Sequence, residues 1–249
     1  MCSVSFLPNS EGFDLLMNRD EQRTRPSALP PALHRCGGRN ALYPHEPNGG
    51  TWVGVNDAGL TLALLNWYSQ PQRAGTASRG RIIPALLAVK ADREVESRLI
   101  QLPLSRMNPF RLVVISPEEK HLKEWRWDGG LLEGSAMPWK KSHWFSSGFD
   151  EEKANQIRSL TCHSAGEESD RDTLPWLLRL HCSHLPDKGP FSLCMHRGDA
   201  CTVSCTEISV SHKEAVMAYH AGPPCTCRPH AQSPSGNARK YSPTVSKDF

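Results

Sequence analysis

Apolar and polar positions alternate with a period of two over the first twenty residues, which predicts strands there. Residues 2–8 put Cys2, Val4 and Phe6 on one face, Asn9-Ser10-Glu11-Gly12 is turn chemistry, and Phe13 to Arg19 reads as the returning strand. A second hairpin is predicted from Thr51 to Val55 and from Leu60 to Leu65, joined through Asn56-Asp57-Ala58-Gly59. Between the hairpins, residues 22–50 are rich in Pro, Arg, Gly and His and read as a long irregular excursion, a kind of segment often tied to function. Residues 69–80 are polar and read as a flexible loop.

Farther on, Ile82, Leu86, Leu87, Val95 and Leu99 suit an interrupted amphipathic helix with Pro84 in its first turn. Strands are predicted at Arg111 to Ile115 and His143 to Phe145, with a hairpin around Asp128-Gly129-Gly130. Asp150 to Leu160, with Asp150 as N-cap, and Leu174 to Leu180 read as helices. Two late strands carry Val203, Ile208, Val210, Val216 and Met217. Strands first and last with helices between predict an α+β fold of antiparallel sheets. One domain is expected over residues 1–222, followed by a polar tail, 223–249, rich in Pro, Ser and Lys and expected to be disordered. Periodicity alone leaves open whether helices cover stacked sheets in four layers.

Composition narrows the function classes. With 38% hydrophobic residues the 249-residue chain can bury a large core, and a net charge of +3 with interleaved signs gives no nucleic-acid stripe. No window approaches the ~20 apolar residues of a spanning helix, and no segment near the start resembles a signal peptide. The nine cysteines are then read as thiols of a cytoplasmic protein.

The chemistry begins at Cys2. Removal of Met1 would expose a free α-amine (reference pKa about 7.7–8.0) on the residue that carries a thiol (about 8.5). One residue then holds nucleophile and base. With the turn centred between Ser10 and Glu11, strand residues pair by a sum near 21, which sets Cys2 opposite Arg19. A guanidinium on that apolar face needs anionic partners and would lower a neighbouring thiol's pKa. Asp20, taken to lie just beyond the strand end, is placed to hold the α-ammonium. Asn18 points to the other face, but a slip of one residue would exchange it with Arg19, so it stands as a candidate substrate-binding residue. Asn56 belongs to a turn and reads as structural. Asn66 ends the apolar face of Leu60, Leu62 and Leu64, where it is either an oxyanion donor or a satisfied end-cap.

Met1-Cys2, Met17-Asn18-Arg19-Asp20-Glu21, Gly49-Gly50-Thr51-Trp52, and the later Gly54, Asn56, Gly59-Leu60 and Asn66 together resemble the NRDE family, named for a transport and Golgi organisation protein. Ser204-Cys205-Thr206-Glu207 and Pro138-Trp139-Lys140 resemble its later elements. The family is similar to the Ntn hydrolases of the penicillin V acylase and bile salt hydrolase type. That resemblance implies a four-layer αββα sandwich and cleavage of small linear amides. It implies Cys2 as nucleophile, Arg19 and Asp20 as its neighbours, and Asn66 in the oxyanion hole. Two departures stand out: Arg19 and Asp20 are adjacent where those hydrolases space the pair, and Ser146-Ser147 occupy the place of a second Asn, as candidate substrate-binding donors. The family has also been associated with haem or lipid handling, so the alternative is a non-catalytic carrier of haem or an acyl lipid.

Arg197 either binds a substrate carboxylate or forms a surface ion pair. His181-Cys182-Ser183-His184, Cys194 with His196, Cys201 with Cys205, and Cys225-Thr226-Cys227 with His230 lack the paired spacing of a zinc site, so no metal and no resident cofactor are expected. Cys201 and Cys205, four apart in a strand, are expected to share a face.

Overall fold

The computed structural model describes residues 2–72, 77–166, 168–226 and 244–246. Strands β1 (Cys2–Pro8), β2 (Phe13–Gln22), β3 (Leu29–Cys36), β4 (Arg39–His45), β5 (Val53–Asn56) and β6 (Thr61–Asn66) come first. Helices α1 (Ile82–Leu86) and α2 (Asp92–Leu99) lead into β7 (Phe110–Ser116), β8 (His121–Trp127), β9 (Leu132–Met137) and β10 (Ser142–Ser146). Helices α3 (Glu151–Ala165) and α4 (Leu174–His181) precede β11 (Ala200–Val210), β12 (Glu214–Ala221) and β13 (Thr244–Ser246).

All strand pairings are antiparallel. One sheet runs β10-β1-β2-β11-β12-β13 and the other β3-β4-β5-β6-β7-β8-β9. Alternation along each strand sends side chains to two different cores. Val4, Phe6, Leu15 and Met17 meet Val53, Val55, Ala63 and Leu65 between the sheets. Leu62, Leu64, Leu112 and Val114 face α1 and α2, while Leu7, Leu16 and Phe145 face Trp176 and Leu177 of α4. Each fully buried side chain of this kind contributes about 1.5–3 kcal/mol. The result is the four-layer αββα sandwich.

Residues 22–50 are not irregular: they contain the β3–β4 hairpin. Gly37 and Gly38 take φ of 54° and 92°, the left-handed pair that a two-residue hairpin turn requires. β3 is an edge strand, so it tolerates Pro30-Pro31 and leaves Leu29 and Leu33 exposed, which hides the alternation. β2 extends to Gln22, so Asp20 lies within the strand rather than past its end. In the stretch read as a tail, Pro224–Thr226 forms a single 3₁₀ turn and Thr244–Ser246 pairs with β12. Residues 227–243 and 247–249 of that stretch, and 73–76 of the predicted loop at 69–80, lie outside the described residues.

The predicted register is the one observed: Cys2 pairs with Arg19, Ser3 with Asn18 and Val4 with Met17. β11 bulges between Thr202 and Ser204. That irregularity sets Cys201 opposite Glu21 but Cys205 opposite Asn18, so the two cysteines face opposite sides of the sheet. No disulfide joins the eight described cysteines. Among the described residues no helix is long and apolar enough to cross a membrane.

Candidate active site

β1 starts, and β2 and β6 end, at one edge of the sandwich. There a cleft of about 250 Å³ is lined by Cys2, Arg19, Asp20 and Asn66 together with Glu46, Trp52 and Arg79. Four residues from three strands thus reach one cavity because antiparallel pairing brings those strand ends to the same side.

Cys2 is buried at the cleft floor. Its backbone nitrogen donates to Ser146 Oγ at 3.0 Å, across the β1–β10 pair that aligns the two residues. This nitrogen is the atom that becomes the α-amine if Met1, which lies outside the described residues, is removed. Burial pushes the thiol above its ordinary pKa. Asp20 and Glu21 push the same way, while the amino-terminal charge and Arg19 oppose them.

Arg19 crosses between the sheets. Its guanidinium lies 4.2 Å from the centre of the Trp52 ring and donates to Glu46 at 2.5 Å and Glu21 at 3.4 Å. Arg25 joins the same two carboxylates, at 2.8 Å to Glu46 and 3.3 Å to Glu21. The anionic partners that the apolar face demands are therefore present as Glu21 and Glu46, and Glu46 and the Trp52 ring both come from the opposite sheet's side of the cleft.

Asp20, one residue on, is fully buried. It accepts from Thr202 Oγ1 at 2.6 Å and from Arg158 Nη2 at 3.4 Å. Burial lifts its pKa above the ordinary carboxyl value, and Arg158, Thr202 and the amino-terminal charge pull it back. Arg158 also donates to Ser3 Oγ at 3.1 Å and the Ser146 carbonyl at 3.4 Å, so one side chain of α3 ties β1, β2 and β10 together behind Cys2. Nothing local in the sequence flagged Arg158 or Thr202. A lone arginine within the otherwise mixed face of α3 was the only trace of the first.

The remaining candidates divide. Asn66 Nδ2 donates to Tyr68 Oη at 2.8 Å on the cleft wall, so its amide has a local partner and also faces the cavity. Ser146 reaches Cys2, as above. Asn18 does not line the cleft: in the unslipped register it points to the helix-covered face, where Nδ2 donates to the carbonyls of His181 and Leu193 at 2.8 and 3.0 Å. Ser147 does not line it either, and its Oγ accepts from Phe149 N at 3.3 Å, a turn contact. Arg197 forms a two-point pair with Asp199 at 2.9 and 2.6 Å and stacks on Phe149 at 4.8 Å, away from the cleft, so the ion-pair alternative describes it. Asn56 is structural: it accepts from Ala58 N and Leu60 N and donates to the carbonyls of Leu87 and Val89.

The Transport and Golgi organisation 2 (TANGO2) family model matches residues 1–173. The chain belongs to that family. It is the same family to which the Asn-Arg-Asp-Glu motif of β2 pointed. No curated protein matches the chain in sequence. Among solved structures, penicillin V acylase from Agrobacterium tumefaciens superposes with a TM-score of 0.51 at 12% identity, over 87% of this chain and 82% of that one. Two variants of the conjugated bile acid hydrolase from Clostridium perfringens superpose at 10% identity, with TM-scores of 0.54 and 0.56. These cover 89% and 100% of this chain and 89% and 99% of theirs. At such low identity the likeness carries the fold, an Ntn-hydrolase sandwich, and no residue role.

Proposed function

We propose that the chain, after removal of Met1, is an Ntn-type cysteine amidohydrolase that cleaves the C–N bond of a small linear, non-peptide amide. The observation that carries this reading is the convergence of Cys2, Arg19, Asp20 and Asn66 on one cleft whose floor is the first residue of β1.

Burial keeps the resting thiol protonated, so activation must coincide with proton transfer to the adjacent nitrogen. Sγ attacks the carbonyl carbon, a C–S bond forms, and the thiol proton passes to the α-amine. Ser146 and the Asp20–Arg158 pair orient that amine, and Arg19 supplies positive charge beside the sulfur. The Asn66 amide and a backbone N–H receive the developing oxyanion. Collapse breaks the C–N bond and the α-ammonium protonates the leaving amine. Water then hydrolyses the thioester, with the same amine as base. A carrier role for haem or an acyl lipid draws no support from a cleft of this size walled by guanidinium and carboxylate groups, which favour a small polar occupant.

Mass spectrometry of the intact protein mixed with an activated acyl ester tests the reading. The expected result is a thioester adduct on protein that begins at Cys2, absent from Cys2→Ala and from protein that keeps Met1. An adduct that persists in Cys2→Ala sinks the assignment.

A further inference from the structure

Away from the cleft, His184, Cys194, His196 and Cys225 bring one ligand atom each to within 4.8 Å of one another. We propose that these four residues bind one Zn²⁺ in a closed, structural site.

Three of the six ligand–ligand distances, those to His196 Nε2, match the edges of a zinc tetrahedron. Bonds of about 2.0–2.1 Å to nitrogen and about 2.3 Å to sulfur imply edges of roughly 3.3 Å for N–N and 3.5 Å for N–S. Here Nε2 of His184 and Nε2 of His196 are 3.2 Å apart. Cys194 Sγ and Cys225 Sγ lie 3.5 and 3.4 Å from His196 Nε2. Cys194 and Cys225 also bond to each other, but hydrogen bonding does not account for the contacts at His196. A ring nitrogen carries one proton or one lone pair in the ring plane, so His196 Nε2 can make at most one good hydrogen bond among its three close neighbours. A cation at the centre satisfies all four groups at once. On binding, the two thiols release their protons and the imidazoles ligate as neutral rings, so the occupied site carries no net charge.

The ligands come from three pieces of chain that the fold already holds together. Cys194 N donates to the Ser183 carbonyl at 3.0 Å, which sets His184 beside Cys194, and His196 N donates to the Gly189 carbonyl at 3.0 Å. Cys225 arrives in the turn after β12, where Gly222 N donates to the Val203 carbonyl at 2.8 Å. Cys194 and His196 are two apart, and both present their ligand atoms to the same cluster. Sequence spacing hid the site because the ligands fall in no paired C-x-x-C or H-x-x-x-H unit. Cys227 and His230, the neighbours that had drawn attention, lie outside the described residues.

With four protein ligands the site has no open position for chemistry, so its role is to brace. What it braces is specific. Met195, between two ligands, donates from its N to Thr202 Oγ1 at 2.8 Å and accepts from Thr202 N at 2.9 Å. Thr202 Oγ1 in turn donates to Asp20. The metal thus clamps the segment that holds Asp20, and anchors the turn that follows β12 at Cys225.

Elemental analysis of reduced protein purified without chelator tests the proposal. About one zinc per chain is expected, falling to near zero in Cys194→Ser and Cys225→Ser and unchanged in the control Cys162→Ser. Wild-type protein stripped of zinc and loaded with Co²⁺ should show the visible bands and thiolate-to-cobalt charge transfer of a tetrahedral centre, a readout that needs no variant to fold. Wild type that is purified free of zinc and develops no such bands on addition of Co²⁺ overturns the site. So does zinc retained by both cysteine variants, or a Cys194–Cys225 disulfide in protein purified without reductant. None of these outcomes depends on the amidohydrolase reading.

Discussion

Replacing Arg158 by methionine keeps most of the side chain's volume and removes its charge. In the native protein Arg158 is about 1% exposed beside a fully buried Asp20, and it donates to Ser3, Ser146 and Phe191 as well. Its loss leaves the Asp20 carboxylate with Thr202 as its remaining side-chain hydrogen-bond donor. Breaking a buried pair from one side costs about 3–5 kcal/mol, and the long 3.4 Å contact to Asp20 argues for the lower half of that range. The penalty must depend on pH. Asp20 already has a raised pKa, so ionising it in the native state works against folding. Stability from this group is fully present below the unfolded carboxyl pKa and is lost as pH rises through the folded value. Arg158 is one of the groups that holds the folded value down, so Arg158→Met extends the loss to higher pH. The deficit relative to wild type should be small in acid and grow toward neutrality. Urea unfolding followed by tryptophan fluorescence at several pH values measures it. Adding Asp20→Asn should restore about 1–2 kcal/mol at neutral pH, because an amide cannot ionise. A deficit under about 1 kcal/mol, or one that does not change with pH, refutes the reasoning.

Two other outcomes follow from the geometry. Asn66→Ala should lower kcat by about 10²–10³ with little change in KM against any substrate that acylates Cys2, since an oxyanion donor acts only in the transition state; an equal rise in KM at unchanged kcat would assign Asn66 to ground-state binding instead. His181 is fully buried, with Nε2 2.8 Å from Ser5 Oγ, and burial, then His143 and Arg158, push its pKa down to about 3. A lowered histidine pKa gives stability that is present above about 6.5 and lost as pH falls, by roughly 1.4 kcal/mol per unit, toward the folded value. His181→Gln should therefore flatten the acid limb of stability against pH, and an unchanged slope in urea titrations would count against a buried neutral imidazole.

Much of this was written locally. The alternation of Cys2, Val4 and Phe6, the turn at Asn9 to Gly12, and the pairing sum near 21 depend only on neighbours along the chain, so Cys2 opposite Arg19 was legible in the sequence. Asp150 as N-cap was legible for the same reason: its Oδ1 accepts from Lys153 N three residues on, a contact within one turn. The β3 strand was not, because at a sheet edge Leu29 and Leu33 are free to face solvent and the period-two signal fades.

What the sequence by itself determined was the β1–β2 and β5–β6 hairpins, the α+β class, the cysteine at position 2 and the motif that marks the family. The four layers came from resemblance rather than from periodicity. Only the tertiary structure decided that Arg158 stands behind Asp20, that Asn18 and Arg197 turn away from the cleft, that a bulge in β11 separates Cys201 from Cys205, and that His184, Cys194, His196 and Cys225 meet. The physical reason is range. Turn chemistry and side-chain alternation act over a few residues, whereas these juxtapositions join residues up to 182 positions apart, as Asp20 and Thr202 are, and exist only once both sheets and their helices have packed.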